Sequence, residues 1–92
     1  MKYFDWDEEK NQSLKENRNI SFEEIVLSIA NDQLLDVVEH HDKTKYPNQK
    51  IFIVEVRKYV YIVPFVESDK GFFLKTIYPS RKATRIYLNK EK

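Results

Sequence analysis

The order of apolar and polar positions divides the chain into a helical first third and a strand-rich remainder. Residues 5–19, "DWDEEKNQSLKENRN", are polar apart from Trp6 and Leu14, a pattern that predicts a surface helix. Asp5 or Asp7 would cap it, its acidic first turn suits the positive end of the helix dipole, and Trp6 would anchor it. Asn19 is placed to end it in the left-handed conformation that asparagine tolerates. The next segment, "ISFEEIVLSIAND", predicts a second helix more strongly. Ser21 and Glu24 have capping-box spacing, Ile20 and Ile25 fit a hydrophobic staple, and Phe22, Ile25, Val26, Ile29 and Ala30 form one apolar stripe. Such a stripe packs on something flat and apolar.

From residue 34 the period changes from helical to alternating. "LLDVVEH" reads as a first strand, followed by the polar loop "HDKTKYPN". "KIFIVEV" and "YVYIVPFVE" read as a hairpin around Arg57-Lys58, and "FFLKTIY" as a fourth strand after the turn "SDKG". Arg-Lys is poor chemistry for a tight two-residue turn, so a longer loop is expected there. Pro64 suits a central strand only if its missing N–H falls at a bulge or an edge. These assignments put Phe52, Val54, Val56, Tyr61, Val63, Phe65, Leu74 and Thr76 on one face of the sheet. Ile51, Ile53, Glu55, Val60, Ile62, Phe73, Lys75 and Ile77 fall on the other. Both faces are apolar, so each needs a cover. The helices supply one; the C-terminal segment, another protein or a second copy of the chain would supply the other. After the fourth strand, Pro79 suits a first helical position. The wheel that follows gathers Arg81, Lys82 and Arg85 on one side and Ala83, Ile86 and Tyr87 on the other. The expectation is a single α+β domain over residues 1–92: two N-terminal helices, a four-stranded antiparallel meander and a short C-terminal helix.

Composition narrows the function. With 41% hydrophobic residues in 92, the chain can bury one core and is too apolar to be disordered. The absence of cysteine excludes disulfides, thiolate metal sites and a thiol nucleophile. No stretch nears the roughly 18 apolar residues of a membrane span, and a cytoplasmic protein is expected. Net charge is +1, but residues 1–42 hold four Lys/Arg against eleven Asp/Glu (−7) while residues 43–92 hold twelve against four (+8). Either the halves neutralise each other by packing, or the second half presents a basic surface to an anionic partner.

Few constellations carry chemistry. His40-His41-Asp42 resembles a metal motif, but neighbouring strand residues point to opposite faces and no third ligand has suitable spacing, so a solvated strand end is expected and no metal or cofactor. With Gly71 as the only glycine, no phosphate-binding glycine motif is possible. The strand aromatics could stack nucleobases, although core packing is their commoner use. The cations offer the clearest chemistry. Arg81 and Arg85, with Lys82, Lys75, Lys50 and Arg57, are candidates for gripping phosphate. Metal-free RNA cleavage needs a group to take the 2′-OH proton, cations at the phosphorane-like transition state and an acid for the leaving oxygen. Glu55 or a histidine could carry the proton. A non-catalytic module that docks nucleic acid or an acidic protein on the same basic face is the alternative.

Three stretches resemble the BrnT-type toxins of bacterial type II toxin–antitoxin operons. "WDEEK" (6–10) is similar to the family's Trp-Asp-x-x-Lys opening, "NISFEE" (19–24) to its Gly-[Val/Ile]-Ser-Phe-Glu-Glu, and "KTIYPSRKATR" (75–85) to its closing strand and Arg-x-Ala-[Ser/Thr]-Arg. Leu14 and Arg18 replace an asparagine and a histidine common in that family. The resemblance implies a RelE-like ribonuclease neutralised by a ribbon-helix-helix antitoxin, with the complex binding operator DNA to repress its own operon. It places Arg81 and Arg85 on the family's C-terminal arginines, Lys75 on a basic strand position and Lys50 near an arginine that commonly starts the second strand.

Overall fold

The structure, a computed structural model, describes residues 3–39, 42, 44–45 and 48–88. Its elements run β1 (Tyr3–Trp6), α1 (Glu8–Arg18), α2 (Phe22–Ala30), β2 (Leu34–Glu39), β3 (Gln49–Val56), β4 (Tyr59–Glu67), β5 (Gly71–Leu74), β6 (Tyr78–Pro79) and α3 (Arg81–Leu88). The helix signals act where the sequence puts them. Asp7 caps α1, its side chain accepting from the Glu9 amide, and Asn19 ends α1 at φ 56°, ψ 39°. Ser21 caps α2 by accepting from the Glu24 amide at 3.1 Å, while the Glu24 carboxylate pairs with Arg57. Ile20 and Ile25 meet in one buried cluster, as a staple requires.

The fold is α+β, but its sheet is mixed and larger than a four-stranded meander. Strands β2, β3, β4 and β5 pair antiparallel in succession; β1 adds a parallel edge beside β5, and the two-residue β6 lies along β4. Asp5 and Trp6 were expected to open the first helix, but the helix starts at Glu8 and residues 3–6 lie outside it. They become a strand because Phe4 and Trp6 alternate toward the core, where Phe4 lies 5.4 Å from the Phe72 ring and Trp6 stacks on Phe22 at 5.6 Å. Four residues of alternation are too few to register against the helical pattern beside them.

The expected fourth strand is also shorter. β5 stops at Leu74, residues 75–77 leave the ladder, and β6 resumes beside a different part of β4. This break answers the problem of Pro64. Its carbonyl accepts from the Lys75 amide at 2.8 Å, so its missing N–H points to the same side, between the β5 and β6 pairings. Freed from strand parity, Ile77 does not join the second face as expected. It turns into the first core, fully buried, and the Arg18 guanidinium donates to its carbonyl at 2.9 Å.

The remaining face assignments follow the β3–β4 register. Phe52, Val54, Val56, Val63, Phe65 and Leu74 are buried beneath α1 and α2 with Leu14, Ile20, Phe22 and Ile25. Ile53 and Val60 are buried on the opposite face under Ala83, with Leu35, Val38, Ile51, Ile62, Tyr87 and Leu88 around them. The chain's own α3 therefore covers much of the second face.

The β3–β4 turn is the tight one that its residue types disfavour. Arg57 and Lys58 stand at φ 52° and 65°, the left-handed pair that a two-residue turn needs. A tertiary contact offsets the strain: the Arg57 guanidinium donates to the Asn19 carbonyl at 2.8 Å and pairs with Glu24, tying the hairpin to the α1–α2 junction.

Candidate nucleic-acid interface

Helix α3 is stitched onto β4 at its first turn. The Ser80 amide donates to the Val60 carbonyl at 3.0 Å, and the Thr84 hydroxyl accepts from the Val60 amide at 3.0 Å. Ser80 Oγ accepts from the Ala83 amide, so Ser80 is the cap. Pro79, expected to begin the helix, instead closes β6 opposite Tyr61. The other end is held by the Tyr87 hydroxyl, which donates to Asp36 of β2 at 2.9 Å.

This docking fixes which way the cations face. Ala83 is buried and Tyr87 half-buried against the sheet, whereas Arg81, Lys82 and Arg85 are exposed. Ile86 was expected with the inward residues but is 58% exposed. Among the described residues, no carboxylate pairs with Arg81, Lys82 or Arg85. Two of the three sit in the first turn, which holds no acidic residue and where the helix dipole disfavours cations by about 0.3–1 kcal/mol each. The placement of Arg81 and Lys82 does nothing for the helix, while Arg85 sits in the last turn, where the dipole favours a cation; together the three leave a concentrated positive surface.

The Asp36 carboxylate raises the Tyr87 pKa, with desolvation adding to the effect. A raised folded value means the contact stabilises the fold fully below the unfolded tyrosine value, and is lost as pH rises through the folded one. Tyr87→Phe should cost about 0.5–1.5 kcal/mol at neutral pH. Urea titrations should show the gap between wild type and variant closing at strongly alkaline pH.

The other sequence candidates separate into two groups. Glu55 lies directly opposite Val60, on the face and strand pair where α3 docks, and is half-buried. Lys75 lies in the break between β5 and β6, exposed, with its Nζ 5.9 Å from the Phe73 ring centroid. Its amide bonds Pro64 where that of Ser80 bonds Val60, four residues along β4, which is about 13 Å. Lys50 and Arg57 do not join this group. Lys50 shares the parity of Phe52 on the other face, with its Nζ 3.5 Å from Glu67, and Arg57 is committed to Glu24 and Asn19. His40 and His41 fall outside the described residues; among those described, no group of three or more His, Cys, Asp or Glu is placed to hold a metal ion.

The structure also sorts the aromatics, which the sequence left undivided. Phe52 and Phe65 stack at 3.8 Å inside the first core, whereas Phe73, Tyr78 and Tyr3 are 39%, 41% and 69% exposed. A groove of about 370 Å³ runs beside Phe73, bounded by Tyr3, Asp5, Ser68, Lys70 and Gly71. The signal for Phe73 was its parity with Lys75; Tyr78 had none, because β6 was not foreseen. Compared with known proteins, the chain matches no family model, no curated protein and no solved structure. Among the described residues, no helix is long and apolar enough to cross a membrane.

Proposed function

We propose that this protein is a metal-independent ribonuclease toxin of the BrnT type, neutralised by a ribbon-helix-helix antitoxin. The observation that carries the reading is the row of exposed cations on α3, Arg81, Lys82 and Arg85, with no carboxylate partner among the described residues. Phosphate is the chemistry that such a row suits, because guanidinium groups hold its oxygens as bidentate forks. The three sequence stretches similar to BrnT toxins supply the rest. In a RelE-like reading, β2–β5 are the family's meander, and β1 and β6 are additions to it.

Arg81 and Arg85 hold the scissile phosphate and stabilise the charge that develops on it, and Lys82 and Lys75 hold the strand on either side. Glu55 takes the 2′-OH proton as O2′ attacks phosphorus. The bond to the 5′ oxygen breaks, and that oxygen takes up a proton from solvent, to which Glu55 then returns its own, leaving a 2′,3′-cyclic phosphate and a 5′-hydroxyl. The antitoxin silences the protein by covering the same cations, and the pair binds operator DNA in the cytoplasm.

Expression without antitoxin tests this. Wild-type protein should arrest growth and fragment cellular RNA, and Arg81→Ala/Arg85→Ala should lower cleavage about 100-fold or more. Equal growth with intact RNA in both cultures defeats the proposal and favours a non-catalytic binding module on the same face.

A further inference from the structure

Strand register puts two exposed rings on the second face, and exposed cations follow them in one row along residues 73–85 of the chain. Phe73 pairs with Val66 of β4, and Tyr78 pairs with Ile62. Directly opposed residues share a face, and Val66, Ile62 and Val60 lie at alternate positions of β4. Phe73, Tyr78 and the seat of α3 therefore all belong to the second face. Along the chain the order is Phe73, Lys75, Tyr78, Arg81, Arg85, and all five side chains are exposed. Residues 70–88 contain five Lys/Arg and no Asp/Glu. Rings on the other face show the contrast, with Phe52 and Phe65 buried to 5% and 1% exposure.

We propose that this row is a track for single-stranded RNA, with one base stacked on Phe73, another on Tyr78, and the intervening phosphates on Lys75, Arg81 and Arg85. The inference rests on the reading of the basic face as an RNA site and names how that site takes its substrate. A basic groove with interleaved rings is the general means of holding an unpaired strand, because every base has a π-face. The spacing suits it. About 13 Å separate the Lys75 and Ser80 anchor points on β4, the rise of roughly four stacked nucleotides at ~3.4 Å each. Lys75 already rests its ammonium against the Phe73 ring, and a base arriving there would release it to the adjoining phosphate. The groove between Phe73 and Tyr3 leaves room for the edge of that base, with Asp5 marking the end of the basic row. A duplex could not use the rings, since its bases are stacked on one another.

The test is fluorescence anisotropy at low salt. The probes are a labelled 2′-O-methyl RNA of about eight nucleotides, which cannot be cleaved, an abasic strand of the same length, and the corresponding duplex. Wild-type protein should bind the single strand about ten-fold or more tighter than the abasic strand or the duplex. Phe73→Leu/Tyr78→Leu should bind the single strand only as well as the abasic one, with its affinity for the abasic strand and its far-UV circular dichroism unchanged. Arg81→Ala/Arg85→Ala should weaken binding to all three probes. If the wild type binds single strand and abasic strand alike, or prefers the duplex, the stacking track is wrong. It is equally wrong if the leucine variant matches the wild type. The phosphate reading survives those outcomes as long as the arginine variant loses affinity. An arginine variant that binds like wild type overturns the phosphate reading instead, and a wild type that binds none of the probes overturns both.

Discussion

Gly71→Ala is expected to lower the stability of the fold by about 3–5 kcal/mol, which is a fall of roughly 15 °C or more in Tm for a domain of this size. Gly71 opens β5 at φ +155°, and an added Cβ would lie 2.0 Å from the carbonyl oxygen of Tyr3, 2.5 Å from its nitrogen and 2.8 Å from its carbonyl carbon. All three atoms are backbone, so no side-chain rotation relieves the overlap. The position is where β1 joins the sheet, Tyr3 pairing with Gly71 in parallel register. The strand can escape the methyl group only by moving away. That would expose Phe4, which packs on Phe52 and Phe72, and draw Trp6 from its stack on Phe22. The variant should therefore show a red-shifted, more quenchable Trp6 emission before its global transition, alongside the lower midpoint. Emission and melting like those of wild type would mean that β1 does not hold this place in solution.

Asn11→Ala should cost about 2–4 kcal/mol, measured as a lower urea midpoint with the m-value retained. Asn11 is completely buried, and both ends of its amide are used. Its oxygen accepts from the Phe22 amide at 2.8 Å, and its nitrogen donates to the Glu23 carboxylate at 2.8 Å. Truncation strands a buried backbone donor at the first residue of α2, away from water. Asn11→Asp separates the two roles. It keeps the acceptor for Phe22 but sets a second carboxylate against Glu23, so its cost should be larger at neutral pH and should ease in acid, when one proton can bridge the pair.

The wild type should show the opposite trend. The bond from Asn11 is the main reason that the Glu23 pKa lies below its usual value. A depressed folded value gives stability that is present above the unfolded pKa and is lost as pH falls through the folded one. The urea midpoints of wild type and Asn11→Asp should thus converge as the pH is lowered below about 4. A gap that stays constant with pH would remove the carboxylate from this account.

Much of the fold was legible because its signals are local. The Asp7 and Ser21 caps, the left-handed Asn19 and the stripe of α2 each need only a few neighbouring residues, and they act as those residues dictate. Strand parity was equally reliable within β3 and β4, where eight register pairs run without a break. It failed at Ile77, because parity holds only while a strand stays paired. At Arg57-Lys58 the local preference was overruled by partners 33 and 38 residues away, Glu24 and Asn19. The candidate site divides in the same manner. The clustering of Arg81, Lys82 and Arg85 follows from helical period alone. The separation of Lys50 and Arg57 from them depends on which face and which partner each side chain meets, and no spacing in the sequence records that.

By itself, then, the sequence determined the α+β class, the N-caps of the first two helices and the end of the first, the two apolar faces of the sheet and the grouping of the cations on one side of the last helix. All of these arise from contacts within a turn of helix or along one strand. Only the tertiary structure decided that residues 3–6 are a parallel edge strand, that the closing strand breaks beside Pro64, and that α3 lies across the second face with its cations outward. Those outcomes turn on a close approach at Gly71, a missing N–H in β4 and a hydroxyl reaching from Tyr87 to Asp36, each a meeting of residues far apart in the chain.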